Sequence, residues 1–353
     1  MRKEQIKINI IMPGLGDSGG IKVIQRYAEM MSASGEDVCV YCPIKAYNLN
    51  RYKSGIKNEI HQIYCTVKTF ITCLKKEKKN VKWVWKINNK SIRDADATIA
   101  TMWATAFDVD ELNTDKGKKF YFVQDFEIWD NRELALKSYK LPLEKIVISS
   151  WINKQLKNEM GIGPFPIVIN GLDTNLFMDY GTRNDDELTF MMLNHYQKKK
   201  GVAQGLEVFN RIKKEYPKAK LIMFGMCDNS NLPSDVEYHQ NPPRKELVEL
   251  YNRVQFFIFP SLEEGWGLTP IEAMACGCVV FGTKTGFVLD IGKHKENMMI
   301  SEPGDIEHMV NNIKEVLRNA NLRSGLSIAA KKAVEELKWS DSCLKMLSIL
   351  KKG

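Results

Sequence analysis

Two successive series of short apolar runs, each broken by helix-spaced segments, constrain the fold of this chain most. The first opens with IKINIIM, followed by the glycine turn PGLGDSGG. Ile21, Ile24, Ala28 and Met31 then recur at helical spacing, Gly35 stops the helix, and DVCVYC follows as a strand. A strand–helix–strand unit of this size implies a parallel sheet covered by helices. ATIATM, KFYFVQ and KIVISS extend the series. GIGPFP, Gly161–Pro166, punctuates the chain with two glycines and two prolines and is a candidate linker. The series then restarts with ELTFMML, a helix carrying Val202, Leu206, Phe209 and Ile212 on one face, and AKLIMFG. The helical LVELYNRV, the apolar strand VQFFIFPS, the short helix TPIEAMAC and the strand CVVFGT come next. Helices around Ile306–Leu317 and Leu326–Leu337 precede a C-terminal helix, WSDSCLKMLSILKK. The pattern predicts an α/β chain of two Rossmann-like domains, residues 1–165 and 166–337, with a final helix over 338–353.

The length of 353 residues suits two domains of roughly 100–200 residues each. With 44% hydrophobic and 27% charged residues, the whole chain is neither disordered nor a coiled coil. Its net charge is +8, and the surplus is uneven. Beyond residue 165 there are 24 basic and 24 acidic residues, whereas Lys68–Arg93 holds nine basic residues and one acid, Glu77. In that stretch Val67, Phe70, Ile71 and Leu74 share a helical face, and lysines with Trp83 and Trp85 follow. Lysine beside interfacial tryptophan suits an anionic membrane surface. A solvated helix with its tryptophans in the core is the alternative. No nucleic acid is expected as a partner, because no recognised binding module accompanies the charge.

The apolar run Ile6–Met12 is too short for an export signal, and no stretch approaches the roughly 20 apolar residues of a membrane span. The expectation is a cytoplasmic chain, peripheral on the inner membrane face at most. Its eight cysteines then read as free thiols. Cys39 and Cys42 form a CxxC inside a strand-like run with no second pair at zinc spacing, which favours buried thiols over metal ligands.

Three segments could carry chemistry. Gly14, Gly16 and Gly19 spell GxGxxG between a strand and a helix. A dinucleotide site would need an acid ending the second strand, but that strand ends Tyr41-Cys42-Pro43. The loop is therefore a tight turn or an anion-facing helix start, with Gly19 and Gly20 at the terminus. Lys198, Lys199 and Lys200 precede Gly201 and a helix start. Cations are unfavourable there unless a phosphate joins them; a solvated charge run is the alternative. The third segment, SLEEGWGLTPIEAMACGC, follows an apolar strand, at the end where open α/β sheets bind ligands. Thr269-Pro270-Ile271-Glu272 reads as a capping box, which gives Glu272 a structural role. Glu264 lies eight residues earlier across a glycine-rich loop. Two carboxylates beside exposed amides suit a polyol carried on a diphosphate.

The E-x7-E pattern from Glu264 to Glu272 in EGWGLTPIEAMACG resembles the motif of retaining glycosyltransferases of family 4, which have the two-domain GT-B fold. DSGG resembles that family's N-terminal glycine loop, VINGLDTNLF the segment opening its second domain, KKG its Lys-Gly, and EPGD its late strand-to-helix turn. FVQDFE resembles a subset acting in bacterial cell-envelope polysaccharide synthesis, rhamnosyltransferases included. The resemblance implies that the C-terminal helix crosses back to an acceptor-binding first domain. It implies that Glu272 holds the ribose hydroxyls and that Glu264 contacts the donor sugar. Backbone amides from Gly267 through Leu268 to Thr269 would bind the sugar or phosphates, with Gly265 and Trp266 also on the donor side. Lys200 would neutralise the diphosphate, with Gly19 and Gly20 closing on it. The family's usual arginine, five residues before that lysine, is His195 here, so Lys199 or Lys198 would compensate.

The implied reaction moves a sugar from a nucleoside-diphosphate sugar to a hydroxyl of a glycan or lipid-linked glycan, with lysine and helix dipoles stabilising the leaving group. No cofactor or metal is expected: there is no convincing Asp-x-Asp, and Asp185-Asp186 lies in the polar TRNDDE. Gln124, Asp125 and Glu127 end a first-domain strand. Asp125 is the candidate acceptor-side base, with a structural polar cluster as the alternative. A nucleotide-sugar epimerase or a non-catalytic scaffold would be the competing functions.

Overall fold

A computed structural model describes residues 5–16, 18–49, 54–75, 81–128, 131–184 and 187–352. The chain divides into two compact units. One comprises the residues up to Ile148, then Ile152–Val168 and the C-terminal helix from Ser340; the other comprises Ser149–Trp151 and Ile169–Trp339.

The first unit is built on six parallel strands: β1 (Lys7–Ile11), β2 (Asp37–Pro43), β3 (Val81–Val84), β4 (Ala97–Ala100), β5 (Lys118–Val123) and β6 (Glu144–Val147), ordered β3-β2-β1-β4-β5-β6. Its helices are α1 (Gly19–Ala33), α2 (Gly55–Lys75), α3 (Trp103–Asp110), α4 (Arg132–Ser138) and α5 (Ser150–Met160). β4 is buried along its whole length, as the continuous apolar run of a central parallel strand requires. Cys39 and Cys42 sit on β2 three residues apart, so the pleat points them to opposite faces. Glu127 is architecture: buried, it accepts through Oε2 from the Trp103 amide at 2.7 Å and the Tyr121 hydroxyl at 3.0 Å, capping the first turn of α3. GIGPFP is not a free tether. Asn153 bonds Phe165 through both its amide atoms, each at 2.9 Å, and the chain returns to β6 through Val147–Pro166 and Val168–Val147 backbone bonds. It passes to the other unit after Val168. The last helix, α11 (Trp339–Lys352), buries Cys343, Met346 and Leu350 and sets Lys351 Nζ 2.6 Å from Glu36 of the first unit.

The second unit repeats the scheme with β7 (Thr189–Asn194), β8 (Lys220–Gly225), β9 (Glu237–Gln240), β10 (Phe256–Phe259), β11 (Val279–Thr283) and β12 (Met299–Ser301), ordered β12-β11-β10-β7-β8-β9. α6 (Val202–Glu215), α7 (Arg244–Arg253), α8 (Leu268–Ala275), α9 (Ile306–Arg318) and α10 (Ala320–Glu335) complete it. Phe190, Met192, Phe256, Ile258 and Phe281 from the sheet pack with Val208 and Ile212 of α6 and Val310 and Ile313 of α9. EPGD forms the expected turn, with Asp305 capping α9 by accepting from the His308 amide at 2.9 Å. In each unit the first strand lies beside the fourth, so the chain reverses its direction across the sheet between them. Open α/β sheets bind ligands at the carboxyl ends of such a strand pair.

Candidate active site

In the second unit that pair is β7 and β10, and the loops that follow them carry the site. β7 ends at Asn194; His195, Tyr196 and Gln197 lead into a single turn of Lys198, Lys199 and Lys200, then Gly201 and α6. Gly201 is left-handed, with φ of 66°, and a Cβ on it would lie 2.0 Å from the Pro260 carbonyl oxygen, just past β10. Only glycine lets the two chains pass so closely. The amides of Leu262 and Glu263 then donate to the Lys199 carbonyl, at 2.7 and 3.2 Å. Lys200 Nζ consequently stands 2.6 Å from Glu264 Oε2, with the side chains 17% and 13% exposed. The Ser261 hydroxyl lies 3.5 Å from the same oxygen. The sequence assigned Lys200 and Glu264 separate tasks, whereas here they are one ion pair.

Beyond Glu264, the Gly265 carbonyl accepts from the Ser149 hydroxyl at 2.6 Å, and the Trp266 carbonyl accepts from the Phe287 amide at 2.8 Å. Trp266 also anchors the loop through its ring. Its indole is 2% exposed and packs edge-on against Phe287, so the large apolar ring is spent on the core. Gly267, with φ of 95°, precedes α8 and provides no side-chain cap. The expected capping box is absent because the helix starts early: Leu268 is the first helical residue, Thr269 the second and Pro270 the third. The amides of Leu268 and Thr269 thus open a helix without a side-chain cap or an acid in its first turn. That end carries partial positive charge. Glu272 lies in the second turn and accepts from the Tyr251 hydroxyl at 3.1 Å. Burial first, and then the Glu272 charge, holds the Tyr251 phenol well above its ordinary range, so it remains a donor.

His195 is not a cation. Its Nδ1 accepts from the Gln197 amide at 3.0 Å, and its ring stacks on Tyr196 at 4.7 Å. Burial first, then Lys200 and Lys199, pushes its pKa down to about 4. The unfolded imidazole takes a proton below its ordinary value near 6.5 while the folded one does not, so this group removes stability as pH falls from about 6.5 towards 4. We expect a ring-proton NMR titration of His195 near pH 4. His195→Gln should narrow the gap between melting temperatures at pH 7 and pH 5; an unchanged gap would refute this.

Gly19 and Gly20 open α1 in the first unit, where the Ser18 hydroxyl accepts from the Ile21 amide at 3.5 Å and the first turn holds no acid. Asp17 of the same loop lies outside the described residues, as do Asp185 and Asp186. A Cβ on Gly20 would rest 3.6 Å from the Gln124 side chain, and Gln124 Oε1 is buried without a hydrogen-bond partner. Asp125 follows, its Oδ1 accepting from the Phe126 amide at 2.9 Å. The α1 start and the end of β5 therefore meet at one end of the first sheet. Tyr251, Ser149 and Ser261 were not singled out from sequence. Tyr251 carried a signal, as a hydroxyl-bearing ring on the apolar face of LVELYNRV; the serines carried none. Among the described residues, no group of three His, Cys, Asp or Glu side chains could hold a metal ion.

Residues 175–333 match the family described as Glycosyl transferases group 1. The matched segment lies within the second unit and contains Lys200, Glu264 and Glu272. The Staphylococcus aureus capsular polysaccharide biosynthesis glycosyltransferase CapM is 24% identical over 244 residues, 64% of this chain and 63% of CapM. N-acetyl-alpha-D-glucosaminyl L-malate synthase of Bacillus anthracis is 24% identical over 46% of this chain and 44% of its own. The chain thus spans less than two thirds of the curated relatives it matches. Among solved structures, sucrose-phosphate synthase from Thermosynechococcus elongatus aligns with a TM-score of 0.74 at 16% identity, over 99% of both chains. Anabaena HepE, solved with UDP and glucose, aligns at 0.71 and 13% identity over 99% of this chain and 100% of that one. The fold is α/β of the GT-B type.

Proposed function

We propose that the chain is a retaining glycosyltransferase that moves a sugar from a nucleoside-diphosphate sugar to a hydroxyl of a glycan acceptor in cell-surface polysaccharide synthesis. One observation carries the reading. The Lys200–Glu264 pair stands beside the β7/β10 crossover, in the same loop system as the uncapped α8 start and Glu272. Transfer breaks the bond from the anomeric carbon to the diphosphate oxygen, and the leaving group gains negative charge. Lys200 and the Leu268 and Thr269 amides oppose that charge where it develops, so the leaving group needs no metal ion. Glu272, held by Tyr251, accepts the ribose hydroxyls. Glu264 accepts a sugar hydroxyl while Lys200 turns to phosphate. The new bond forms on the face the diphosphate leaves, and the acceptor proton passes to the departing phosphate oxygen. Asp125 serves the acceptor side by accepting a hydrogen bond from a neighbouring hydroxyl of the acceptor.

CapM is a capsular polysaccharide biosynthesis glycosyltransferase, and HepE was solved with UDP and glucose, so UDP-sugars head the panel that tests the reading. UDP, GDP and dTDP sugars are screened by thermal stabilisation and by turnover, with Glu264→Ala as the comparison. One donor should raise the melting temperature, by an amount that grows with the logarithm of its concentration above Kd, and be turned over by the wild type alone. If no donor binds or reacts, the reading is wrong and a non-catalytic scaffold remains.

A further inference from the structure

The helix α2 is packed inside out. Ile56, Ile60, Ile63, Tyr64, Val67, Phe70, Ile71 and Leu74 recur at intervals of three and four and form one stripe, and all are between 45% and 71% exposed. The opposite face, which meets the protein, is polar. Asn58 is buried there, Gln62 donates to the Ala46 carbonyl at 2.7 Å, and the Ala46 amide donates to Thr66 Oγ1 at 3.1 Å. A surface helix of a globular protein does the reverse, turning its apolar stripe to the core. This stripe runs about 27 Å along the helix, at 1.5 Å per residue. Lys57, Lys68 and Lys75 follow one flank by helical position, and Lys57 and Lys68 are exposed. Trp85, past β3, is also exposed, which overturns its placement in a core, and Lys82 and Lys86 adjoin it. Arg93 drops out of the basic set because it pairs with Asp37 at 2.8 Å. Residues 76–80, with three more lysines, lie outside the described residues.

We propose that α2 docks flat on an anionic lipid bilayer, inserting the Ile56–Leu74 stripe between headgroups, with Lys57 and Lys68 beside the lipid phosphates and Trp85 at the interface. An apolar face flanked by lysines is the pattern of a helix lying in the membrane plane. A second copy of the chain fits less well, since an antiparallel two-fold contact would bring the lysine flanks of two cationic helices together. Among the described residues no helix is long and apolar enough to cross a membrane. The docking deepens the expectation drawn from Lys68–Arg93 by naming the surface, and it makes a lipid-linked acceptor accessible.

The test is co-sedimentation of the full chain with phosphatidylcholine vesicles and with vesicles that also contain phosphatidylglycerol. The wild type should pellet with the anionic vesicles. Ile63→Glu with Phe70→Glu should cut binding about tenfold or more at an unchanged melting temperature. Lys57→Gln with Lys68→Gln should reduce the preference for anionic over neutral vesicles. A wild type that stays in the supernatant, or a double glutamate variant that pellets equally, overturns the proposal. Sedimentation velocity showing a dimer that the glutamate pair dissociates, with no vesicle binding, assigns the stripe to a second copy instead. Vesicle binding needs no sugar donor, so a docked protein that turns over no donor would count against the transferase reading alone.

Discussion

Replacing Lys200 with alanine is expected to lower sugar transfer by about 10²–10³-fold, the usual cost of removing one group aimed at developing charge. Two losses combine. The departing diphosphate loses a nearby cation, and Glu264, only 13% exposed, loses the partner that stands 2.6 Å away. An orphaned carboxylate in such a place loses its fixed orientation, so the sugar contact suffers as well. The two residues therefore act as one unit, and Lys200→Ala with Glu264→Ala together should cost much less than the product of the single effects. Steady-state measurement with the best donor of the panel, run on all three variants and the wild type, provides the cycle. Lys200→Ala within about threefold of wild type, or strictly multiplicative effects, would refute a shared role. The melting temperature of Lys200→Ala separates loss of chemistry from loss of fold.

Gly201→Ala is expected to damage both fold and site. An alanine there must hold a left-handed backbone, with its Cβ driven into the Pro260 carbonyl, a rigid main-chain atom. Strain and overpacking together cost on the order of 3 kcal/mol. In a unit of this size that lowers the melting temperature by about 6–12 °C. Relief requires Pro260 to move, and Ser261–Glu264 would move with it, so transfer should fall even where the protein stays folded. Gly14→Ala is the matched control. Nothing lies within 4 Å of its Cβ position, and it should shift stability by about 0.5 kcal/mol or less. Equal melting temperatures for the two variants would show that the close approach is not what glycine serves at 201.

Alternating apolar and helical segments made most of the fold legible. The continuous runs of β7, β10 and β11 declare themselves because a strand covered on both faces has no polar positions to blur it. β3, β9 and β12 did not: Val81–Val84, Glu237–Gln240 and Met299–Ser301 are short, and the first two carry charged or polar residues at the sheet edges. In the site, Lys200, Glu264 and Glu272 were legible from spacing. Their partnership was not, since it depends on two loops meeting after β7 and β10. Thr269-Pro270-Ile271-Glu272 misled for a local reason. Gly267 turns the backbone into the helix early, so proline stands third, where its missing N–H is still tolerated. The ring of Trp266 was not assigned a place from sequence; it is the loop's anchor in the core. For the stripe of α2 the sequence left a membrane-facing and a solvated helix both open, because periodicity reports a face without saying which way it turns.

The Lys199 carbonyl receives both the Leu262 and the Glu263 amides, so the contact between the two site loops is written in main chain alone. Ordinary side-chain replacement at 199, 262 or 263 leaves those bonds available, and only proline at 262 or 263 deletes a donor. Residues around the charge pair can therefore vary widely, as a neutral His195 beside three lysines already illustrates, while the spacing of Lys200 and Glu264 persists. Insertion or deletion of a single residue between Pro260 and Glu264 has no such tolerance, because it shifts the phase of the loop against Lys199. In this part of the protein, loop length is under tighter physical constraint than loop composition.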